Sequence, residues 1–431
     1  MRLLIIFILS LLLVPQVALA QDVYEFDLSE IEKKPYSFGG YIEVRPVLFG
    51  FDRDAALYKL KMFDRDEGKT AEEYNFTLQL DGSYEKGTAG FYLKLNSDMQ
   101  QSFLGWSDET TVFEGFLSLK PSRSLSIDAG KKTLKWGKGY AWTPAAFIDR
   151  TKNPDDPDLA REGFIVISAD YIKSYSGALK TVSFTPVLVP VYGDMNDDFG
   201  ETDKLNFAGK LYLLLYDTDI DLIVLTGGSK STRYGFDFSR NITSNLEIHG
   251  EFAFINNFEK KFINSSGDLS ESTLDAKSYL FGTRYLTELD TTFIIEYYHN
   301  GTGFTENEMN DYYSFINTGY ESFLSSGNRG LLQKALNYTE GIYGRMNPMR
   351  DYLYVRISQK EPFDILYFTP SITGIFNMTD KSFSLSPELL YTEITNLEMR
   401  FKTVFLSGQS DSEYGEKQND YRMELRVRYY F

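Results

Sequence analysis

Six basic side chains crowd the C-terminal part of the chain: Arg356, Arg400, Lys402, Arg422, Arg426 and Arg428. Arginine keeps its charge at physiological pH and grips carboxylate or phosphate with a fork of N–H donors. Spaced by two, as Arg400/Lys402 and Arg426/Arg428 are, such residues share one face of a strand. The chemistry open to them is the steering of small anions. Glu388, Glu398 and Glu424 are interspersed, so a second reading stands beside the first. In it the charges pair across neighbouring strands and merely hydrate a wall.

Proton-transfer chemistry has little material here. The chain has two histidines and no cysteine. His299 lies in Tyr298-His-Asn-Gly-Thr-Gly303 with only Thr302 as a nearby hydroxyl, and His249 lies between Glu247 and Glu251 with no nucleophile beside it. Both read as structural or pore-lining residues. The acidic run Asp194-Met-Asn-Asp-Asp198 departs by one residue from calcium-loop spacing and reads as a solvated loop. No catalytic residue, metal or cofactor is expected.

A second constellation spans residues 132–162. Lys135, Trp136, Lys138, Trp142 and Arg150 stand among glycines and prolines, whose turn preferences give such a loop a fixed shape. It either folds inward and constricts a lumen, or lies outside with its tryptophans at a membrane rim.

The elements that must position these residues are strands. Tyr74, Phe76, Leu78 and Leu80 alternate with Asn75, Thr77, Gln79 and Asp81. Leu397, Met399, Phe401 and Phe405 oppose Glu398, Arg400 and Lys402. A period of two is the signature of a strand. A charge at every second residue would wreck a soluble core but is harmless where that face meets water.

Eighteen such segments begin near Tyr41, Tyr74, Ala89, Phe113, Leu125, Phe164, Leu179, Phe207, Ile220, Tyr234, Leu246, Tyr279, Phe293, Leu353, Leu366, Phe383, Leu397 and Tyr421. The count falls to sixteen if the pair at Leu366 and Phe383 is misread. Even-numbered connections are short, among them Glu85-Lys86-Gly87 and Asp217-Thr218-Asp219. The long ones are all odd-numbered: Asp52 to Glu73, Lys132 to Glu162, Asp194 to Lys204, Asn257 to Ala276 and His299 to Arg350. Within the last, Glu306 to Phe323 and Gly330 to Asn337 can form helices.

Residues Tyr421 to Phe431 alternate without a break, with Tyr421, Met423, Leu425, Val427, Tyr429 and Phe431 on one face. This strand resembles the closing strand of Gram-negative outer-membrane β-barrels, which typically ends in an aromatic residue. The resemblance implies an all-β, transmembrane antiparallel barrel with short periplasmic turns, long external loops and both termini periplasmic. It also implies insertion by the barrel assembly machinery and contact with outer-membrane lipid and lipopolysaccharide. The Trp136-Gly137 pair, followed by the proline-bearing stretch to Pro157, is locally similar to porin-like and exopolysaccharide-export barrels. In porins the third external loop folds inward, and residues 132–162 have that length and ordinal place.

The N-terminus agrees on location. Arg2, the apolar run Leu3 to Leu13 and the Ala18-Leu19-Ala20 site read as a signal peptide over 1–20. Residues 21–36 read as a periplasmic tail and 37–431 as the barrel. After the signal, no apolar run approaches the roughly 18 residues that a helical span needs. The aromatic fraction of 16% suits two interfacial girdles. A net charge of −17 argues against nucleic acid as a partner.

The function that follows is a porin-like channel for small hydrophilic solutes, anionic ones included, with its lumen narrowed by 132–162. A closed scaffold barrel that binds envelope partners is the rival, and an outer-membrane hydrolase is a third reading. Nothing in the sequence separates a monomer from a trimer.

Overall fold

The computed structural model describes residues 34–65 and 68–431, so the expected signal peptide and most of the expected tail lie outside the described residues. Eighteen strands follow one another: β1 (Tyr36–Phe51), β2 (Thr70–Lys86), β3 (Ala89–Ser102), β4 (Gly105–Ser122), β5 (Leu125–Lys132), β6 (Phe164–Ser174), β7 (Leu179–Val191), β8 (Lys204–Leu215) and β9 (Thr218–Thr226). The second half is β10 (Arg233–Asn241), β11 (Leu246–Ile263), β12 (Leu269–Leu286), β13 (Thr291–His299), β14 (Asp351–Gln359), β15 (Phe368–Asn377), β16 (Phe383–Tyr391), β17 (Leu397–Ser407) and β18 (Asn419–Tyr430). Each pairs antiparallel with its sequence neighbours, and β1 pairs with β18 as well as β2, so the sheet closes into a barrel without an edge.

Alternation decides which way each side chain points. Phe76, Leu117, Phe184, Phe252, Phe281, Phe401 and Leu425 are exposed on the outer wall. So much apolar surface would not survive in water; it belongs against lipid. Tyr36, Tyr84, Tyr171, Tyr285 and Tyr429 are exposed near the short turns, while Tyr74, Trp106 and Tyr234 ring the opposite end. These are the two girdles. The tight turn at Tyr216-Asp217 has positive φ at both residues (50° and 58°), the twist that joins two antiparallel strands in the fewest residues.

The buried apolar clusters lie inside, built by the long connections. Residues 52–69 carry α1 (Ala56–Met62), and 300–350 carry α2 (Glu306–Ser326) and α3 (Gly330–Tyr338). Thr305 and Glu308 form a capping box at the start of α2, and Gly327 ends it at φ 72°. Lys260 on β11 reaches Glu308 at 2.6 Å and ties this helix to the wall. Tyr312, Phe315, Ile316, Leu332 and Ala335 pack with Trp142, Leu280, Tyr352 and Tyr354 in the largest cluster.

One connection departs from expectation. Asn257 to Ala276 is mostly strand: β11 runs to Ile263 and β12 starts at Leu269. The register shifts between Ile255 and Phe258, with Asn257 at φ 51°. Such a bulge breaks the period of two, and the alternation resumes on the far side out of phase. Strand β1 also begins at Tyr36, one residue before the expected boundary. The contrast between short even and long odd connections weakens twice: residues 360–367 between β14 and β15 outnumber residues 378–382 between β15 and β16, and the odd connection between β3 and β4 is residues 103–104 alone.

Candidate functional site

Residues 133–163, between β5 and β6, lie across the barrel interior, bonded to strands on the far wall. Glu251 on β11 accepts from the amides of Lys138 and Gly139 (both 2.6 Å) and of Ala145 (3.0 Å). Glu296 on β13, fully buried, accepts from the amides of Tyr140 and Ala141, and His249 Nε2 lies 2.8 Å from it. Two inward carboxylates, on the strands either side of β12, thus replace the water that these amides would otherwise bind.

The loop needs its glycines for this approach. Gly137 sits at φ 90°, and a Cβ there would lie 2.8 Å from Glu251 Oε1; a Cβ on Gly139 would lie 2.0 Å from the Trp142 carbonyl oxygen. Asp149 stitches the loop internally by accepting from the amides of Leu134, Lys135 and Trp136. Lys152 Nζ donates to the carbonyls of Gly139 (2.7 Å) and Tyr140 (3.2 Å), and burial lowers its pKa. Trp136 and Trp142 are buried, not placed at a membrane rim. Trp142 stacks on Tyr298 at 5.2 Å, and Lys210 Nζ sits over the Trp136 ring at 5.8 Å.

The other loop residues singled out by sequence also have partners. Lys138 Nζ meets Asp221 on β9 at 3.1 Å. Burial opposes its charge, yet Asp221 and Asp237 hold the ammonium above the usual lysine range. Arg150 pairs with Asp198 and with Glu162 (3.0 Å) and covers Phe164. Lys135, at φ 56°, lines a cavity beside the loop.

The distal half of the loop faces the basic wall. Asp156 Oδ2 accepts from Arg426 at 2.8 Å, Arg400 stands 3.7 Å from Asp156, and Lys402 Nζ donates to the Asp155 carbonyl. Burial would raise the Asp156 carboxyl, but Arg426 and Arg400 hold it below its ordinary range. The six basic residues come together on β14, β17 and β18, each inward and each with an acid or acceptor. Arg356 meets Glu388 at 3.5 Å, and Arg400 also meets Glu388 (3.6 Å) and Glu398 (3.2 Å). Arg428 reaches Glu43 on β1 at 2.6 Å, Arg426 approaches Glu43 and Glu424 at 3.7 Å each, and Arg422 approaches Glu424 at 3.7 Å. The pairing weighed in the sequence is therefore present, and the loop itself joins it.

Sequence reasoning missed the acids that anchor the loop: Glu251 and Glu296 on the wall, and Asp149 and Asp156 within the loop itself. The only signal of the wall pair was inward placement in the alternation, and an inward acid looks alike whether it meets water or a loop; the loop pair lies outside any strand and had no such signal.

Two cavities remain between the loop and the β1–β5 side. One, about 450 Å³, is lined by Glu43, Arg45, Asn75, Gln79, Asp98, Asp108, Arg426 and Arg428; the other, about 370 Å³, by Lys94, Glu114, Lys135 and Lys152. Leu159 and Ala160 line both. The lining is polar and carries both signs of charge.

No family model matches the chain, and no curated protein matches it. Solved structures do. OccK11 (OpdR) of Pseudomonas aeruginosa is 11% identical, with 91% of this chain and 96% of that one covered at a TM-score of 0.51. OccK5 (OpdH) of the same organism is 13% identical over 92% and 98%, with a TM-score of 0.50. OccK8 (OprE), also from that organism, is 10% identical over 92% and 98%, again with a TM-score of 0.50. The likeness is one of fold: a closed eighteen-stranded antiparallel β-barrel.

Proposed function

We propose that this porin-like barrel passes small hydrophilic solutes through a lumen narrowed by residues 132–162, with anions among its cargo. The observation that carries the reading is the pair of polar cavities sharing Leu159 and Ala160 beside a loop anchored at both ends. A polar space along a barrel wall is what a permeating solute needs, and anchoring keeps its width constant. Arg45, Arg426 and Arg428 on one side would hold an anionic group while Asp108 and Asp98 accept from its hydroxyls.

A closed scaffold is favoured by one feature. The cluster around Trp142, Tyr352, Tyr354 and α2 fills another part of the interior with apolar side chains. Purified protein in planar bilayers separates the two: discrete ion currents support a channel, and a silent bilayer with folded protein supports the scaffold.

A further inference from the structure

Glu296 holds the amides of Tyr140 and Ala141, and the side chain that steadies Glu296 comes from two strands away. His249 on β11, Gly282 on β12 and Glu296 on β13 stand in one row across the wall, His249 paired with Gly282 and Gly282 with Glu296. Neighbouring strands lie about 4.8 Å apart, so side chains two strands apart start roughly 10 Å from one another. A side chain on the middle strand would keep them separate. Here the middle residue has none. A Cβ on Gly282 would lie 2.1 Å from His249 Nε2 and 2.9 Å from Glu296 Cγ. Through that gap the imidazole crosses β12 and brings Nε2 to 2.8 Å from Glu296 Oε1.

The contact has no substitute nearby. Oε1 accepts from the Tyr140 amide and from His249, and Oε2 accepts from the Ala141 amide at 2.8 Å. A carboxylate only accepts, so Nε2 carries the proton of this bond. Among the described residues, His249 is the one basic side chain within ion-pair distance of Glu296. The ring is buried, its Nδ1 has no hydrogen-bond partner, and Glu247 Oε1 stands 3.7 Å behind it. Its one hydrogen bond is thus spent on Glu296. Glu251 is built differently: its two oxygens accept from three loop amides and need no side-chain donor.

We propose that His249 is the positioning residue of the loop, reaching over Gly282 to orient the Glu296 carboxylate toward the Tyr140 and Ala141 amides. A buried carboxylate left without a donor on its free side turns to find one, and a charge-assisted bond removes that freedom. Gly282 is the second half of the device, because it alone opens the path. The effect on lumen width rests on the reading of residues 132–162 as the constriction; the hold on the two amides does not.

The test is hydrogen exchange on folded, full-length protein in detergent, resolved to single amides by fragmentation mass spectrometry. In His249→Ala the Tyr140 and Ala141 amides should exchange about tenfold faster, while those of Lys138, Gly139 and Ala145 stay protected by Glu251. Gly282→Ala should do the same with the imidazole still present, and it carries the test should His249→Ala fail to assemble. In His249→Gln the amide nitrogen lies as many bonds from Cβ as Nε2 does, so slow exchange should return. His249→Leu fills the space without a donor and should exchange as fast as the alanine variant. Unchanged exchange at Tyr140 and Ala141, equal acceleration at all five amides, rescue by leucine, or none by glutamine would overturn the proposal. Single-channel currents of His249→Ala then test the other reading: released amides with wild-type conductance would keep the positioning role and remove the constriction.

Discussion

Asp156 and Arg426 meet at 2.8 Å although 270 residues separate them, and this bond joins a loop between β5 and β6 to the strand that closes the barrel. The carboxylate also faces Arg400, so one loop residue takes up charge from two wall strands. Removing one partner of such a pair exposes the charge of the other.

Asp156→Asn should therefore free part of the basic wall. Reversal potentials in a salt gradient should shift toward anions, with the anion-to-cation permeability ratio rising by roughly twofold, since local wall charge outweighs screened charge farther off. An unchanged ratio would mean that the arginines are neutralised by Glu43, Glu388 and Glu424 alone.

The same pair predicts a pH window. The Asp156 pKa is depressed below its ordinary 3.8, so its hold on the loop is complete above 3.8 and is lost as pH falls through the lower value. Single-channel conductance should stay level from neutral pH down to that point and change only below it. A transition near pH 6 would assign the hold to another group.

Glu251→Ala combined with Glu296→Ala removes the acceptors for the amides of Lys138 to Ala141 and of Ala145. Hydrogen bonds to charged groups contribute about 1.5–3 kcal/mol each, so the loop should come loose while the β-ladder persists. Larger and noisier currents are expected, together with protease cleavage within 133–163. Wild-type conductance in this variant would show that the loop does not set the width.

Arg426→Gln with Arg428→Gln removes the two guanidiniums beside the larger lumen cavity. The anion-to-cation permeability ratio should fall by roughly twofold. A cation-selective wild type would end the case for a basic wall.

Deleting Phe431 removes the backbone exchange with Gly40 (3.2 and 3.1 Å) and the ring contact with Phe38 at the closing seam. Assembly should slow, seen as less of the compact, heat-modifiable band on gels. Full insertion at the normal rate would mean that the pairing of β18 with β1 suffices without it.

The sequence by itself determined the wall. Side-chain direction in a strand is a local property with a period of two, so Tyr421 to Phe431, Leu397 to Phe405 and sixteen further segments could be read one at a time and counted. Local signals also gave α3 and α2, the latter capped by Thr305 and Gly327 next to it in the chain. They failed at Asn257, where a bulge shifts the phase and hides strand beyond it. What fills the barrel was decided only by the tertiary structure. The alternation put Glu251, Glu296 and Arg426 inside, but an inward charge has the same sequence pattern whether it meets water, a neighbouring strand or a loop. Its partner is chosen by where the closed barrel brings residues 106 to 270 positions apart, and a chain records no such distance until it has folded.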